Sequence, residues 1–255
     1  MDSIERAKLD WINSDLADET FGLEALHNDI ASILADVALY KTSLVTPAFY
    51  EAWQSLDIDA AVWTKTDPIA GVAWAVDHLT YSNTVALCTI NNGNNARLRS
   101  NKVWQASPGL SGIGFDGSRY IFQKLVVEFE CTLILNPTEP DPNTFLVGLT
   151  PNAGDDRSSN NIIGFCANPG GGLDCITDAG GGETITNDPS WTNFAWHKFR
   201  IECSRGHVLF YTNGNLVADH TNNLPTSYGM YINFYCAFIG LIANFIIGPV
   251  RAWYE

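Results

Sequence analysis

The sequence predicts a mainly β protein, an antiparallel β-sandwich that follows an N-terminal α-helical coiled-coil segment. Apolar residues recur every three or four positions between Leu9 and Leu44, and after Ala61 they alternate at every second position. No amphipathic stretch of helical length interrupts the alternating runs, which clusters of Asn, Gly, Pro and Asp separate. We therefore expect a coiled-coil oligomerisation segment at 1–46, a connector at 47–60 and the sandwich at 61–255.

The N-terminal segment carries a heptad pattern, which predicts self-association. The apolar positions are Leu9, Ile12, Leu16, Leu23, Leu26, Ile30, Ile33, Val37, Tyr40 and Leu44. Glu19 interrupts this pattern close to Gly22, so the helix is either continuous or bent there. Isoleucine at Ile30 and Ile33 departs from the pattern of two-stranded parallel coils and favours a homotrimer. The alternative is a helix that ends before Pro47 and packs against its own sandwich.

The composition limits the partners and the location. The chain has 28 acidic and 14 basic residues, a net charge of −14, which repels phosphate backbones and anionic lipids. Residues 230–250 contain no charge and are long enough to cross a bilayer. Their Asn, Gly, aromatic and β-branched residues favour two strands joined near Gly240 instead. We expect neither nucleic acid nor membrane as a partner, and no secretory signal is recognised at the N-terminus.

The cysteines and histidines show no metal-binding spacing. The six cysteines form no Cys-x-x-Cys pair, and most lie within runs that alternate like strands, which predicts buried thiols. Cys166 and Cys175 flank a glycine-rich turn, so a cross-strand disulfide is the alternative for this pair. His197 and His207 lie in neighbouring runs, where packing or surface roles are the simpler interpretation.

Three runs near the C-terminus carry a family resemblance: residues 196–202, residues 207–218 with their Asn-Gly hairpin turn, and residues 250–254. They resemble the last third of concanavalin A-like lectin/glucanase (jelly-roll) domains, which implies that fold for 61–255. Glycosidases of that class present two carboxylates as Glu-x-Asp-x-Glu or Glu-x-Asp-x-x-Glu on one strand. The nearest match here is Glu128 with Glu130, and the central Asp is missing. We therefore expect no catalytic residues and no enzyme.

Polar loops on the sandwich are the expected ligand-binding sites. Sugars are bound by planar hydrogen-bonding groups and aromatic rings. The candidates with this chemistry are Asp155, Asp156, Asn160, Asp188 and Trp191. The same loops, with Asp178, contain enough carboxylates to consider Ca²⁺, but their spacing matches no EF-hand. We expect no cofactor, with Ca²⁺ as the alternative.

A helical self-association segment followed by a sandwich without a catalytic motif is similar to the plan of virus and bacteriophage fibre or decoration proteins. The resemblance implies a non-enzymatic virion structural protein at the virion surface. Such a protein would contact other virion proteins and display its sandwich to host-surface glycans or proteins. One alternative is a carbohydrate-binding module or glycoside hydrolase of the lectin/glucanase fold. Another is a cellular adhesin or scaffold, which would be extracellular.

Overall fold

The computed structural model describes residues 49–55, 57–66, 71–77, 85–91, 94–104, 124–135, 145–151, 161–167, 172–180, 182–192, 195–225, 229–238 and 242–255. All of these belong to one compact unit, Pro47–Glu255. None of them is helical, and none forms a helix of the length and hydropathy that a membrane span requires. The prediction of a mainly β sandwich is confirmed, while the predicted coiled coil at 1–46, with its ten heptad positions, lies outside the described residues.

The described residues form fifteen strands. They are β1 (Phe49–Glu51), β2 (Trp63–Thr66), β3 (Gly71–Asp77), β4 (Val85–Asn91), β5 (Asn94–Ser100), β6 (Leu125–Leu135), β7 (Phe145–Thr150), β8 (Ile162–Ala167), β9 (Leu173–Asp178), β10 (Glu183–Asp188), β11 (His197–Ser204), β12 (His207–Thr212), β13 (Asn215–His220), β14 (Tyr231–Phe238) and β15 (Ile242–Tyr254). Strand β1 therefore lies within the stretch expected to be a connector.

Two antiparallel sheets make up the sandwich. Sheet A has the order β13-β12-β11-β6-β15-β4-β3, with β1 paired to β15. Sheet B has the order β10-β9-β8-β7-β14-β5-β2. The uncharged stretch 230–250 contributes the central strand β14 to sheet B and most of β15 to sheet A. These residues form two strands, as their composition predicts.

The hairpin between β12 and β13 forms where the sequence predicts it. Asn213 and Gly214 have φ angles of 52° and 83°, which a tight hairpin turn requires at both central positions. The preceding turn, between β11 and β12, uses Gly206 at a φ of 79°. These two turns fix the register of three neighbouring strands at one edge of sheet A.

Aromatic side chains fill the space between the two sheets. The ring of Phe129 on β6 lies 5.3 Å from the ring of Phe199 in sheet A and 5.3 Å from the ring of Phe234 in sheet B. All three side chains are buried, and burying one such side chain contributes roughly 1.5–3 kcal/mol. Because residues on either side of Phe129 must point the other way, Glu128 and Glu130 lie on the outer face of sheet A.

None of the six cysteines, all within the described residues, forms a disulfide. The alternative of a bridge between Cys166 and Cys175 is wrong, because Cys175 faces the core while Cys166 belongs to the outer side of sheet B. Burial raises the pKa of the Cys131, Cys203 and Cys236 thiols well above the usual range. These thiols are therefore protonated at neutral pH and unreactive.

Candidate functional site

One transverse row of side chains crosses the outer face of sheet A. Strand register places five residues side by side on β1, β15, β6, β11 and β12, in the order Tyr50, Arg251, Glu128, Arg200 and Tyr211. The Arg200 Nη1 lies 3.1 Å from the Glu128 Oε1. The guanidinium carbons of Arg251 and Arg200 lie 5.2 Å and 6.0 Å from the ring centres of Tyr50 and Tyr211, respectively. A carboxylate is thus flanked by two guanidinium groups, each beside an aromatic ring.

A β-bulge in β15 lies opposite Glu130. The register of β15 against β6 shifts between Ile247 and Val250, so Gly248 and Pro249 together oppose the single residue Glu130. Neither carries a long side chain that could cover the carboxylate. The bulge therefore leaves open space beside Glu130, on the same face as the transverse row.

The open space is a shallow depression with a cavity volume of about 20 Å³, partly open to solvent. Its lining residues are Glu128, Phe129, Glu130, Lys198, Pro249 and Arg251. Because Glu128 and Glu130 are two residues apart on one strand, their side chains start about 6.6 Å apart. Both side chains therefore leave the same face of β6 and reach the same depression.

Gly248 forms part of the wall between Glu130 and Trp196. A Cβ atom added at Gly248 would lie 3.1 Å from the Cβ of Glu130 and 3.4 Å from a ring carbon of Trp196. The indole of Trp196 is 41% exposed, which makes it an accessible aromatic surface next to the carboxylate. Glycine at this position lets the two side chains approach each other over the bulge.

The core side of the bulge is held by Trp53, which follows β1. The indole Nε1 of Trp53 donates a hydrogen bond of 2.7 Å to the Gly248 carbonyl oxygen. Trp53 has a φ of 53°, unusual for a bulky residue, and its amide donates to the Glu51 Oε1 at 2.7 Å. Its ring stacks on Trp63 at 5.4 Å. The segment after β1 is thus fixed to the bulge from inside the sandwich.

A cluster of ion pairs that includes the last residue, Glu255, lies beside the transverse row. The Lys124 Nζ lies 3.0 Å from a Glu202 carboxylate oxygen and 2.6 Å from a Glu255 carboxylate oxygen. Burial alone would raise the pKa of Glu255, but the hydrogen bonds from Lys124 and Trp253 outweigh it and the pKa is lowered. Arg200 also contacts Glu202, so its guanidinium is held between two carboxylates.

The outer face of sheet B has a different character. Its central strands carry a buried apolar cluster, Leu146, Ile162, Cys166, Ile176 and Tyr235. Asp174 and Asp178 share this face of β9, but both are buried and hydrogen-bonded within the protein. The Asp178 Oδ1 accepts from the Gly180 amide at 2.6 Å, and the Asp174 Oδ1 accepts from Asn187 at 3.3 Å. These carboxylates do not form an open pair comparable to Glu128 and Glu130.

The ligand residues predicted from the loops are only partly within the described residues. Asp155, Asp156 and Asn160 lie outside them, and so does the calcium alternative that depends on these loops. Asp188 is buried, and its Oδ2 accepts a hydrogen bond of 2.6 Å from a threonine hydroxyl on β12. Trp191 is half-buried, with its ring 4.7 Å from the His197 ring. Ligand contact by these residues stays a prediction.

Two charged residues of the depression, Lys198 and Arg251, and the neighbouring Trp196 were not predicted from the sequence. A signal for the bulge was present, since Gly248 and Pro249 fall inside a strand-like run, where such residues typically mark a bulge or an edge. The side chains that the bulge brings together come from β6, β11 and β15, and their neighbourhood depends on long-range pairing.

No model of a known protein family matches the sequence, and no curated protein matches it. Among solved structures, a β-glucanase of Bacillus licheniformis is similar at 12% identity with a TM-score of 0.54, over 83% of this chain and 100% of that chain. The fold is the concanavalin A-like jelly roll. A family 16 endo-glucanase of Bacteroides ovatus matches at 11% identity and a TM-score of 0.55, over 80% and 99% of the two chains.

A third similar structure was described with endo-acting O-glycanases of the human gut microbiota. It has 11% identity and a TM-score of 0.57, over 82% of this chain and 100% of that chain. At such low identity these similarities establish the fold alone. They confirm the predicted jelly roll, and they give no support to a phage fibre context.

The expectation of a non-enzymatic virion structural protein is wrong, and so is the expectation that the protein is not an enzyme. The structures that share its fold are mostly glycoside hydrolases, which favours the carbohydrate-active alternative. The expectation that the protein is not an enzyme rested on the missing central Asp between Glu128 and Glu130. Sequence reasoning did not foresee that a bulge opens a depression beside this pair.

Proposed function

We propose that the sandwich is a carbohydrate-active enzyme that binds a glycan across the outer face of sheet A and hydrolyses it at Glu128 and Glu130. The observation that carries this proposal is the pair of carboxylates on one strand face, which line a depression next to exposed aromatic rings. The fold similarity to glycoside hydrolases supports the reaction class.

The surroundings of the two carboxylates suit different roles. Glu128 is fixed by the Arg200 guanidinium at 3.1 Å, which suits a general base that positions a water molecule. In the described part of the chain the Glu130 side chain makes no hydrogen bond or ion pair, and it lies over the Gly-Pro bulge. It is therefore placed to give a proton to the leaving oxygen. The depression beside the pair, with a cavity volume of about 20 Å³, leaves room for one water molecule.

The aromatic rings of the transverse row suit sugar binding. Tyr50 is 54% exposed and Tyr211 is partly exposed, and each ring packs beside an arginine that can donate to hydroxyl groups. Four strand spacings separate the two tyrosines, so the row spans about 19 Å. This length suits an oligosaccharide chain rather than a single sugar.

The test is hydrolysis of a panel that contains mixed-linkage β-glucan, other β-glucans and mucin O-glycans. We expect wild-type protein to release reducing ends from at least one of them. Glu128→Gln and Glu130→Gln should each lower the rate about 100-fold or more, the usual contribution of a general acid or base. Glu183→Gln, which changes an exposed carboxylate on β10, is the matched control and should keep the wild-type rate.

Two results would change this proposal. Binding of a glycan without hydrolysis by the wild-type protein would leave a carbohydrate-binding module of the same fold. If the protein neither binds nor hydrolyses any glycan of the panel, a role on carbohydrates is contradicted altogether.

We also propose that the chain is a homo-oligomer, with a trimer favoured by its heptad positions. Several sandwiches in one particle would raise the avidity for a polymeric glycan. The mass of the full chain in solution tests this proposal. A trimer is the expected result, whereas a monomer would contradict it.

A further inference from the structure

We propose that the glycan bound at the Glu128–Glu130 depression is acidic, with carboxylate or sulfate groups that Lys198 and Arg251 bind. This inference rests on the proposed function and names its substrate class. The observation behind it is that two exposed cations at this depression have no ion-pair partner among the described residues, in a protein that is strongly acidic.

The chain has 14 basic residues and a net charge of −14, yet Lys198 and Arg251 both line one depression, and Arg200 lies beside it, opposite Glu128. A uniformly acidic surface would repel an acidic polymer over its whole area. Basic residues grouped around a site weaken that repulsion locally, because they offset the carboxylates beside them. The grouping should therefore strengthen the binding of acidic ligands and not that of neutral ones.

Among the residues that the structure describes, Arg200 is the one of these three cations that forms ion pairs. It contacts Glu128 at 3.1 Å and also pairs with Glu202. In contrast, Lys198 and Arg251 form no ion pair with any residue that the structure describes. Both side chains are exposed and line the depression. Two positive charges are therefore available to a ligand.

Lys198 and Arg251 lie on opposite sides of β6. Arg251 on β15 is directly opposite Glu128, and Lys198 on β11 is directly opposite Glu130. The backbone of each is one strand spacing, about 4.8 Å, from the backbone of a glutamate that we propose to be catalytic. A sugar over the two carboxylates would thus have one cation on each side. Acidic groups on that sugar or its neighbour would meet them.

The chemistry of the two side chains suits carboxylate and sulfate alike. The Arg251 guanidinium lies 5.2 Å from the Tyr50 ring centre, which orients its plane while its N–H groups stay available for a bidentate contact. The Lys198 ammonium is a point charge on a flexible stem and accepts either anion. The shared requirement is a saccharide with an anionic group close to the cleaved bond.

The experiment compares one polymer in three forms: mixed-linkage β-glucan, the same polymer oxidised at C6 to the uronate, and the same polymer sulfated. Affinity is measured for full-length Glu130→Gln protein, so that hydrolysis does not consume the probe. We expect the uronate or the sulfated form to bind about tenfold tighter than the neutral polymer at low salt, as one charge-assisted hydrogen bond predicts. High salt should reduce this preference.

The double substitution Lys198→Gln and Arg251→Gln, in the same background, should abolish the preference. Arg205→Gln, which removes an exposed cation at the turn after β11, is the matched control and should keep it. Urea denaturation reports on folding, and the double variant should unfold at the same urea concentration as the parent protein because both side chains are exposed.

The proposal is overturned if neutral and acidic polymers bind equally, or if Arg205→Gln reduces the preference as much as the double variant. If a neutral glycan is bound and cleaved at Glu128 and Glu130 without any preference for the acidic forms, the proposed function stands and this inference fails. If none of the three polymers binds, the acidic-glycan inference fails here, and the hydrolysis panel then decides the proposed function separately.

Discussion

The two outer faces of the sandwich differ, although the strands beneath them follow the same alternation. On sheet A the outward positions of β6 include Glu128 and Glu130, which are flanked by cations and by exposed aromatic rings. On sheet B the outward positions of β8 include Ile162 and Cys166, and both are fully buried. The core-facing positions are apolar in both strands. The outward positions therefore decide which face is available to a ligand.

The two faces also contribute differently to stability and to function. Each aliphatic side chain of the cluster on sheet B contributes roughly 1.5–3 kcal/mol through burial. The charged row on sheet A contributes less, since exposed ion pairs are worth about 0–1 kcal/mol each. Its charges are therefore better explained by what they bind than by what they stabilise.

The largest expected effect separates the two faces by stability. Ile176→Asn on sheet B buries a polar group without a partner and should lower the free energy of unfolding by about 3 kcal/mol or more. Leu216→Asn, at a side chain of sheet A that is 56% exposed, should change it by less than about 0.5 kcal/mol. Urea denaturation measures both. Equal losses would contradict the division between the faces.

A smaller effect is expected where the core supports the depression. Trp53→Phe removes the donor to the Gly248 carbonyl and leaves a buried acceptor unsatisfied, which should cost about 1–3 kcal/mol. Trp253→Phe removes a hydrogen bond to the exposed Glu255 carboxylate and serves as the control, with a loss below about 0.5 kcal/mol. If the two variants unfold at the same urea concentration, the link between Trp53 and the bulge is not stabilising.

The smallest effect on stability is expected for Gly248→Ala, which should nevertheless lower the hydrolysis rate measurably. In Gly248→Ala the new methyl group lies 3.1 Å from the Glu130 Cβ, so the carboxylate must shift by a few tenths of an ångström. We expect about a tenfold lower hydrolysis rate, because catalytic groups tolerate little displacement. Gly182→Ala, whose methyl group would meet only a side-chain oxygen at 3.4 Å, is the control. An unchanged rate in Gly248→Ala would show that the bulge does not position Glu130.

The fold was predictable from local sequence, whereas the candidate site was predictable only in part. The turn at Asn213 and Gly214 depends on two adjacent residues, and strand alternation depends on neighbours two positions apart. Both signals are visible without a structure. The carboxylate pair Glu128 and Glu130 was also visible, because it lies within one strand.

The surroundings of that pair were hidden because they depend on long-range pairing. Arg200 is 72 positions from Glu128, and Trp53 is 195 positions from Gly248. No periodicity within one strand indicates which strands become neighbours. The pair was consequently not expected to be catalytic, and the function was assigned to the loops and to the heptad segment.

The most direct test of the account locates the glycan on one face of the sandwich. Side-chain NMR signals are followed while a glycan is added to full-length Glu130→Gln protein. The glycan is one that the wild-type protein hydrolyses, or an acidic one. We predict shifts of the Trp196 indole and the Arg251 guanidinium signals on sheet A, with the methyl signals of Ile162 and Ile176 on sheet B unchanged. Shifts confined to Ile162 and Ile176 would contradict the assignment of the site to sheet A.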